Sequence, residues 1–405
     1  MKFVFYPDAP PIQHGGHANH SIAWSWSQAM AKHTALVITR RFQRKINLHS
    51  IEETIGVPIA FYPDFSLFGL RRISDLLRYC LDTLLFMTCL PRLLGAIRRR
   101  GANRIFAFPS GSCVCLFNAW LLGRLSGLPV DVYLVDDLEA LAVMNQQHFI
   151  ARVTRWTETK LLPRFAKVYT LSKGHAEHLQ AKYGIQPEWL PLVIRAEEIA
   201  YAPPPASGET RSIGFCGSTN PLYREALHEL SEVVAHLNKT TPHRYRISLF
   251  TVGRPADFET IFPDPSIVDL FYGLPNEQIV ARLRQSYANF LPYSFSESLK
   301  VMVSTAFSCK TAEYFAAGRP ILVYGPAYAS VPRHFLEHGL PLVCTERGKL
   351  EALISEVERF DNPALAASYS DLVSAYHSPA ALRQRLAPDT DADSATPPVP
   401  LSGAL

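Results

Sequence analysis

Residues 307–330 read FSCKTAEYFAAGRPILVYGPAYAS, a pattern that predicts a short helix followed directly by a buried strand. Ser308 is a residue type that favours helix N-caps, so the helix is expected to begin just after it. Gly318 is typical of a helix C-terminus, and Pro320 introduces the apolar run of residues 321–324. The stretch therefore predicts one helix-to-strand step of an alternating α/β fold.

Lys310 and Glu313 are three residues apart and lie on one face of the predicted helix. A helix N-terminus attracts anions through its dipole, and Lys310 adds a full positive charge there. Glu313, one turn further on, is placed to accept hydrogen bonds from ribose hydroxyls. Two interpretations stay open at this point: a nucleotide phosphate site, or an exposed ion pair of small energetic value.

The rest of the chain also alternates apolar runs with helical patterns, which predicts mostly parallel sheets. Strands are expected at residues 3–6, 35–39, 104–108, 131–135, 167–171, 212–215, 246–252, 267–270, 288–292 and 321–324. Helices are expected at residues 19–33, 113–125, 221–238, 276–287 and 309–317.

A length of 405 residues predicts two domains. The Pro-rich stretch IAYAPPPASGETR, residues 199–211, is expected to be the linker between them. Residues 1–198 then form the N-terminal domain and residues 212–386 the C-terminal domain. The tail, residues 387–405, has few apolar side chains and is expected to be disordered.

The 307–330 stretch resembles the donor-binding motif of bacterial GT-B glycosyltransferases, in which Phe, Lys, Glu-Tyr and an Ala-Ala-Gly-x-Pro-Ile-Leu run recur in this order. IGFCGSTNPLYREALHEL, residues 213–230, resembles the family's phosphate loop. VDLFYGLPNEQIVARLRQSYANFLPYSF, residues 268–295, resembles its base-binding segment. The similarity covers residues 212–345 in order.

The resemblance implies two Rossmann-like domains facing a cleft, with the acceptor on the first and a UDP- or GDP-linked sugar on the second. It implies a hexosyltransferase type of activity without a catalytic metal or other cofactor, in cell-surface polysaccharide or glycolipid synthesis. It also implies roles for single residues. Lys310, Gly217, Ser218 and Ser308 would contact the diphosphate, Glu313 the ribose, and Tyr272 and Gly273 the base.

One position departs from the family pattern. Retaining members often carry a second glutamate eight residues before the one that matches Glu313, and this chain has Thr305 there. The stereochemical outcome is therefore open.

The resemblance is weaker in the N-terminal half, where it rests on the glycine loop His14-Gly15-Gly16-His17 and on residues 131–140. The two glycines let backbone amides approach a phosphate or a sugar closely, so Gly15 and Gly16 are candidate site residues. Together with His20, the two histidines have the spacing of metal ligands, but a contact to donor or acceptor is favoured.

Asp136 and Asp137 end the predicted strand 131–135, and ligands bind at such strand ends in open α/β sheets. Adjacent carboxylates raise the pKa of one member, which suits a general base for the acceptor hydroxyl. Asp137 is the preferred candidate. A helix N-cap is the alternative for either residue.

The net charge of +4 conceals an asymmetry, because residues 1–200 carry +8 and the remainder −4. Residues 71–100 contain seven Arg and two Asp among eight Leu and one Phe. This segment predicts either an amphipathic helix pair packed on the sheet or a surface that associates peripherally with an anionic membrane. Its charges and Pro91 argue against a membrane span.

Seven cysteines without a zinc spacing, and an N-terminus without a signal-peptide pattern, predict a cytoplasmic protein. No sequence signature of nucleic-acid binding is present. A dinucleotide enzyme is disfavoured because no G-x-G-x-x-G follows a predicted strand. A nucleotide-sugar epimerase on the same fold and a non-catalytic binding protein remain as alternatives.

Overall fold

The computed structural model describes residues 2–12, 18–41, 48–64, 75–203 and 210–386. The chain divides into two compact units, the first ending at Val193 and the second beginning at Ile194. The predicted tail and residues 204–209 of the predicted linker lie outside the described residues.

The first part of the predicted linker packs on the second unit, because Arg319 and Gly318 hold it there. The guanidinium of Arg319 is fully buried, donates to the Ala202 carbonyl at 2.7 Å and pairs with both oxygens of Asp361 at 2.8 Å. A side chain on Gly318 would place its Cβ 2.0 Å from the Ala200 carbonyl oxygen. The second unit therefore begins before the Pro-rich stretch.

Seven strands form the sheet of the first unit: β1 (Phe3–Pro7), β2 (Thr34–Arg41), β3 (Ile59–Pro63), β4 (Arg104–Phe108), β5 (Val130–Leu134), β6 (Lys167–Thr170) and β7 (Glu188–Trp189). They pair in parallel in the order β3-β2-β1-β4-β5-β6-β7. This is the Rossmann order with one more strand at an edge. β1 and β5 are buried along their whole length, as expected of a parallel sheet covered by helices on both faces.

The helices of this unit are α1 (Ala18–Ala29), α2 (Leu48–Ile55), α3 (Asp75–Arg100), α4 (Cys113–Ser126), α5 (Leu138–Met144), α6 (His148–Leu161) and α7 (Lys173–Tyr183). The predicted helix pair at residues 71–100 is wrong, because α3 is one helix that continues through Pro91. Proline removes the hydrogen bond to the carbonyl of Met87. Both residues are exposed, so water can satisfy that carbonyl.

Within the stretch Leu77–Arg100 an 18-residue window has a mean hydropathy of 1.5, so by length and composition this helix is apolar enough to cross a membrane. In the structure, however, Phe86, Leu93 and Ile97 of this helix belong to the hydrophobic core of the first unit. α3 is therefore a helix that covers the sheet.

The second unit has a six-stranded parallel sheet: β8 (Thr210–Cys216), β9 (Arg244–Thr251), β10 (Val268–Tyr272), β11 (Ala288–Pro292), β12 (Ile321–Tyr324) and β13 (Val343–Cys344). The order is β10-β9-β8-β11-β12-β13, again the Rossmann arrangement. Strands β9 and β10 are added on one side of β8, and strands β11 to β13 on its other side, so the strand order reverses between β8 and β11. Ligands of open α/β sheets bind at such a point, beyond the carboxyl ends of the strands.

The helices of the second unit are α8 (Pro221–Thr240), α9 (Phe258–Ile261), α10 (Asn276–Leu283), α11 (Lys300–Thr305), α12 (Lys310–Ala317), α13 (Ser330–Glu337), α14 (Leu350–Ser355), α15 (Val357–Phe360), α16 (Pro363–Leu372) and α17 (Pro379–Leu386). α12 is the helix predicted from residues 307–330. It begins at Lys310 and ends at Gly318.

Candidate functional site

β8 and β11 separate near their carboxyl ends, and Tyr314 of α12 occupies the space between them. The two strands pair only at Ile213 with Ala288 and at Gly214 with Asn289. Beyond this point the buried Tyr314 hydroxyl accepts from the Cys216 amide at 3.1 Å and donates to the Phe290 carbonyl at 3.0 Å. These two bonds fix α12 at the point where the strands diverge.

Lys310, the first residue of α12, extends over the loop that follows β8. Its Nζ lies 3.8 Å from the ring centroid of Tyr223 and 5.3 Å from that of Phe215. Both distances are within the range of a cation–π interaction. Among the described residues no carboxylate forms an ion pair with this ammonium group. The charge is thus held in place by aromatic faces and remains available to an anion.

Gly217 makes room for the Lys310 side chain. A Cβ on this residue would lie 2.2 Å from Lys310 Cε, and its φ of +116° suits glycine. Its amide already donates to the Phe250 carbonyl at 2.8 Å. The residue therefore contributes by its missing side chain, and its amide is not free for a phosphate.

Gly217→Ala is expected to move the Lys310 ammonium and to weaken nucleoside diphosphate binding by about tenfold or more, because a charge-assisted hydrogen bond is lost. The unfavourable φ should also cost about 1 to 3 kcal/mol of stability. Calorimetric titration and thermal unfolding measure the two effects. Gly56→Ala is the control, since Gly56 has a φ of +71° but nothing within 4 Å of a Cβ. Unchanged nucleotide affinity in Gly217→Ala would contradict the assignment.

Two polar oxygens near Lys310 are buried without a hydrogen-bond partner among the described residues: Glu313 Oε2 and Ser308 Oγ. Burial raises the pKa of Glu313, and the nearby Lys310 partly offsets this. A buried oxygen without a partner is costly, so both are suited to hydrogen bonds from a ligand. The prediction that Ser308 caps the helix is wrong. Cys309 occupies the N-cap position of α12, and no side chain caps it.

The predicted base-binding residues lie at the carboxyl end of β10, two strands from β8. Tyr272 is 48% exposed, so its ring is accessible to a ligand. Gly273 turns the chain with a φ of +55°, and its amide donates to the Thr251 carbonyl at 3.0 Å. Neighbouring strands are about 4.8 Å apart, which places Tyr272 roughly 10 Å from the end of β8.

Ser218 is exposed next to Gly217, and its hydroxyl accepts from Asn220 Nδ2 at 3.3 Å. Asn220 in turn caps α8 through the Leu222 amide. Thr305, which stands where many relatives carry a second glutamate, is fully buried and donates to the Val301 carbonyl at 2.8 Å. It presents no group to a ligand.

In the first unit, Asp137 is the N-cap of α5. Its Oδ1 accepts from the Ala140 amide at 2.6 Å, and its Oδ2 lies 3.1 Å from His178 Nε2 and 3.5 Å from Lys182 Nζ. Burial alone would raise its pKa, but these partners hold the pKa of Asp137 well below its usual range. Such a carboxylate is a weak base. Its geometry corresponds to the N-cap alternative, and the preference for Asp137 as the base loses its support.

Asp136 has different surroundings from its neighbour. It is partly exposed directly after β5, and no described residue forms a hydrogen bond or ion pair with it. Burial and the charge of Asp137 raise the pKa of Asp136 to about 6. A carboxylate with this pKa and no partner in the described part of the chain has the properties of a general base near neutral pH.

Asp137→Asn is expected to lower the free energy of unfolding by about 2 to 4 kcal/mol at neutral pH, because it leaves Lys182 in a partly buried site with less compensating charge. A carboxylate with a lowered pKa stabilises the fold above its unfolded pKa and loses this effect as the pH falls. The destabilisation caused by Asp137→Asn should therefore be smaller at acid pH. Asp136→Asn is the matched control and should be at least as stable as the wild type, since ionised Asp136 is disfavoured in the fold. Equal stability of all three proteins by denaturant unfolding would contradict this.

Gly15, Gly16, His14 and His17 lie outside the described residues. His20 is buried, and its Nδ1 lies 2.6 Å from the Pro10 carbonyl. Within the described part of the chain no group of three His, Cys, Asp or Glu side chains could hold a metal ion.

Sequence reasoning missed three residues of these sites. Tyr223 supports the Lys310 ammonium, and Tyr314 fixes α12 at the diverging strands. His175, at the start of α7, is fully buried with both ring nitrogens unpartnered among the described residues, and burial lowers its pKa to about 4. The aromatic residue two positions into α8 was the available signal for Tyr223. The Glu-Tyr pair of the 307–330 motif was the available signal for Tyr314, and no local signal pointed to His175.

No protein-family model matches this sequence, and no curated protein matches it either. Solved structures match over nearly the whole chain. Anabaena HepE in complex with UDP-glucose has a TM-score of 0.62 at 11% identity, covering 95% of this chain and 98% of that chain. The UDP-forming α,α-trehalose-phosphate synthase of Burkholderia vietnamiensis has a TM-score of 0.62 at 9% identity, with the same coverage of 95% and 98%.

A third structure, described as a UDP-N-acetylglucosamine 2-epimerase from Listeria monocytogenes, has a TM-score of 0.53 at 13% identity and covers 96% of this chain and 95% of that chain. Identities this low establish the fold alone. The predicted α/β class with two Rossmann-like domains is confirmed, and the chain has the GT-B fold.

Proposed function

We propose that this protein is a glycosyltransferase that moves a sugar from a UDP- or GDP-linked donor to an acceptor hydroxyl. One observation carries the proposal. At the point where β8 and β11 diverge, the Lys310 ammonium lies beside two buried oxygens, Glu313 Oε2 and Ser308 Oγ, and none of the three has an ion-pair or hydrogen-bond partner among the described residues. The cation can bind a diphosphate, and the carboxylate can accept hydrogen bonds from ribose hydroxyls.

In this mechanism the residues of the second unit stabilise the leaving group. The bond between the anomeric carbon and the β-phosphate oxygen breaks, and the diphosphate takes the electron pair. Lys310 and the dipole at the N-terminus of α12 stabilise the negative charge that develops.

Asp136 in the first unit acts as the base. Its carboxylate accepts the proton of the acceptor hydroxyl while the acceptor oxygen bonds to the anomeric carbon. A single displacement of this kind inverts the anomeric configuration. The configuration of the product, measured by NMR, therefore tests the role of Asp136 separately from the identity of the donor.

A thermal-unfolding screen with UDP, GDP and their sugars tests the donor assignment. A ligand at 100-fold its dissociation constant stabilises the native state by about 2.7 kcal/mol. We expect one base to stabilise the protein and the other to have little effect. No shift with any nucleotide sugar, in a protein shown to be folded, would overturn the proposal.

An epimerase is the second candidate, favoured by the similarity to the Listeria structure. Incubation with the nucleotide sugar alone separates the two reactions. An epimerase would interconvert two sugars without an acceptor, whereas a transferase would leave the donor unchanged apart from slow hydrolysis.

We propose a cytoplasmic enzyme of cell-surface polysaccharide or glycolipid synthesis, with a carbohydrate or lipid-linked acceptor. All seven cysteines are free thiols, which agrees with a reducing compartment. Parallel assays with soluble and with membrane-extracted acceptors test the acceptor class.

A further inference from the structure

The exposed large apolar side chains of the first unit are concentrated on one group of helices. Within its described residues, every such side chain lies on α3, α4, α5 or α6. Examples are Leu84, Leu125, Phe149 and Trp156, which are 57%, 46%, 56% and 65% exposed. A concentration of this kind marks an interaction surface, whereas single exposed apolar residues are ordinary.

These helices are neighbours on the surface. α3 packs beside α4, α4 beside α6, and α6 beside α5. α3 and α4 also cover the same face of the sheet, because Phe86 and Leu116 belong to one core cluster. Tyr79 of α3 packs against Ala142 of α5 and Ile150 of α6. The outer sides of the four helices therefore form one surface, here called the α3–α6 face.

The exposed charges on the described part of this face have one sign. Among its described side chains the exposed charged residues are all cations, including Arg92, Arg98, Arg99, Arg100, Arg152 and Lys160. The acidic residues of these helices with described side chains, Asp82, Glu139 and Glu158, are all buried. Of the predicted Arg-rich segment, Arg71 and Arg72 lie outside the described residues, and Arg78 pairs with Asp82.

α6 combines both properties in one stripe. Phe149, Arg152, Trp156 and Lys160 follow one another at spacings of three or four residues and are all exposed. Such spacing places them along one side of the helix. Aromatic rings with flanking cations are typical of helices that lie in the interface of a bilayer, where the cations remain at the headgroups.

We propose that the α3–α6 face docks the protein onto an anionic lipid bilayer, with Phe149 and Trp156 entering the interface. Lipid headgroups are favoured over a protein partner because aromatic rings and cations alternate along α6 on a face whose described exposed charges are all positive, the pattern of helices that lie on anionic bilayers. The docking itself does not depend on the proposed function. Only its purpose rests on that function, namely to bring the acceptor-binding unit to a membrane-held acceptor.

Co-sedimentation with vesicles tests the docking. We expect binding to vesicles of phosphatidylcholine mixed with phosphatidylglycerol at low salt, weaker binding at high salt, and little binding to phosphatidylcholine alone. Phe149→Ala/Trp156→Ala should weaken binding by about tenfold or more. Leu336→Ala is its control, because Leu336 is 49% exposed on α13 of the second unit.

Charge reversal gives a second matched pair. Arg152→Glu should weaken binding to the anionic vesicles by about tenfold. Lys239→Glu, at an exposed position at the end of α8, should leave it unchanged. Equal effects of the two reversals would show that only the net charge acts, and would overturn the assignment of the face.

Tryptophan fluorescence reports the depth of Trp156, which is the exposed member of the five tryptophans. A blue shift on addition of anionic vesicles, lost in Trp156→Phe while co-sedimentation persists, is expected. A protein that stays in the supernatant at low salt, or a double variant that instead changes the sedimentation coefficient of a dimer, would overturn the proposal. Nucleotide affinity should be the same in all of these variants, so a failure of docking is distinguishable from a failure of the transferase assignment.

Discussion

Asp136→Asn is expected to lower kcat for sugar transfer by about a hundredfold or more, with donor affinity unchanged. Asn keeps the size and the position of the side chain but cannot accept the proton of the acceptor hydroxyl. Steady-state kinetics of transfer, combined with calorimetric titration of the nucleotide, measure the two quantities separately. Transfer at the wild-type rate would remove Asp136 from the mechanism.

The pH dependence gives the same hypothesis a second test. Because the pKa of Asp136 is about 6, the carboxylate is ionised above this value and protonated below it. Activity should therefore rise with pH and level off above about 6. The charge of Asp137 contributes to this raised pKa, so Asp137→Asn should move the limb of the profile to lower pH. A profile that does not move in this variant would indicate that another group titrates.

Lys310→Ala is expected to weaken nucleoside diphosphate binding by about ten- to a hundredfold, since charge-assisted hydrogen bonds are worth about 1.5 to 3 kcal/mol. The loss should be smaller for the nucleoside alone, which has no phosphate. Calorimetric titration of both ligands measures the difference.

Lys239→Ala is the control for this variant, because it removes an exposed lysine of the same unit far along α8 from Tyr223. The fold should tolerate Lys310→Ala, since its ammonium makes no ion pair with a described carboxylate. Unchanged diphosphate affinity in Lys310→Ala would place the phosphates elsewhere in the protein.

Much of the fold could be predicted from the sequence because its strands are short, apolar and separated by clear helical patterns. Strand β11 was predicted with its observed bounds, and α12 within one residue. Strands β3, β7 and β13 were missed. Two of them are only two residues long and have no periodicity of their own, so pairing with a neighbouring strand alone defines them.

The candidate donor site could also be located from the sequence, because Lys310 and Glu313 are close in the chain and their helix spacing is local. The hydrogen bonds that hold α12 in place could not be predicted, since those of Tyr314 connect residues up to 98 positions apart. The start of the second unit was likewise decided by contacts of Arg319 with Ala202 and Asp361, which no local pattern reveals.

The two aspartates show most clearly where the sequence reaches its limit. The sequence by itself determined that two carboxylates follow β5, and it led to the prediction that one of them is a base. Only the tertiary structure decided between them, because a pKa depends on what surrounds the group. α7 brings His178 and Lys182 to Asp137 and lowers its pKa, while Asp136 is left partly buried beside that negative charge and its pKa is raised.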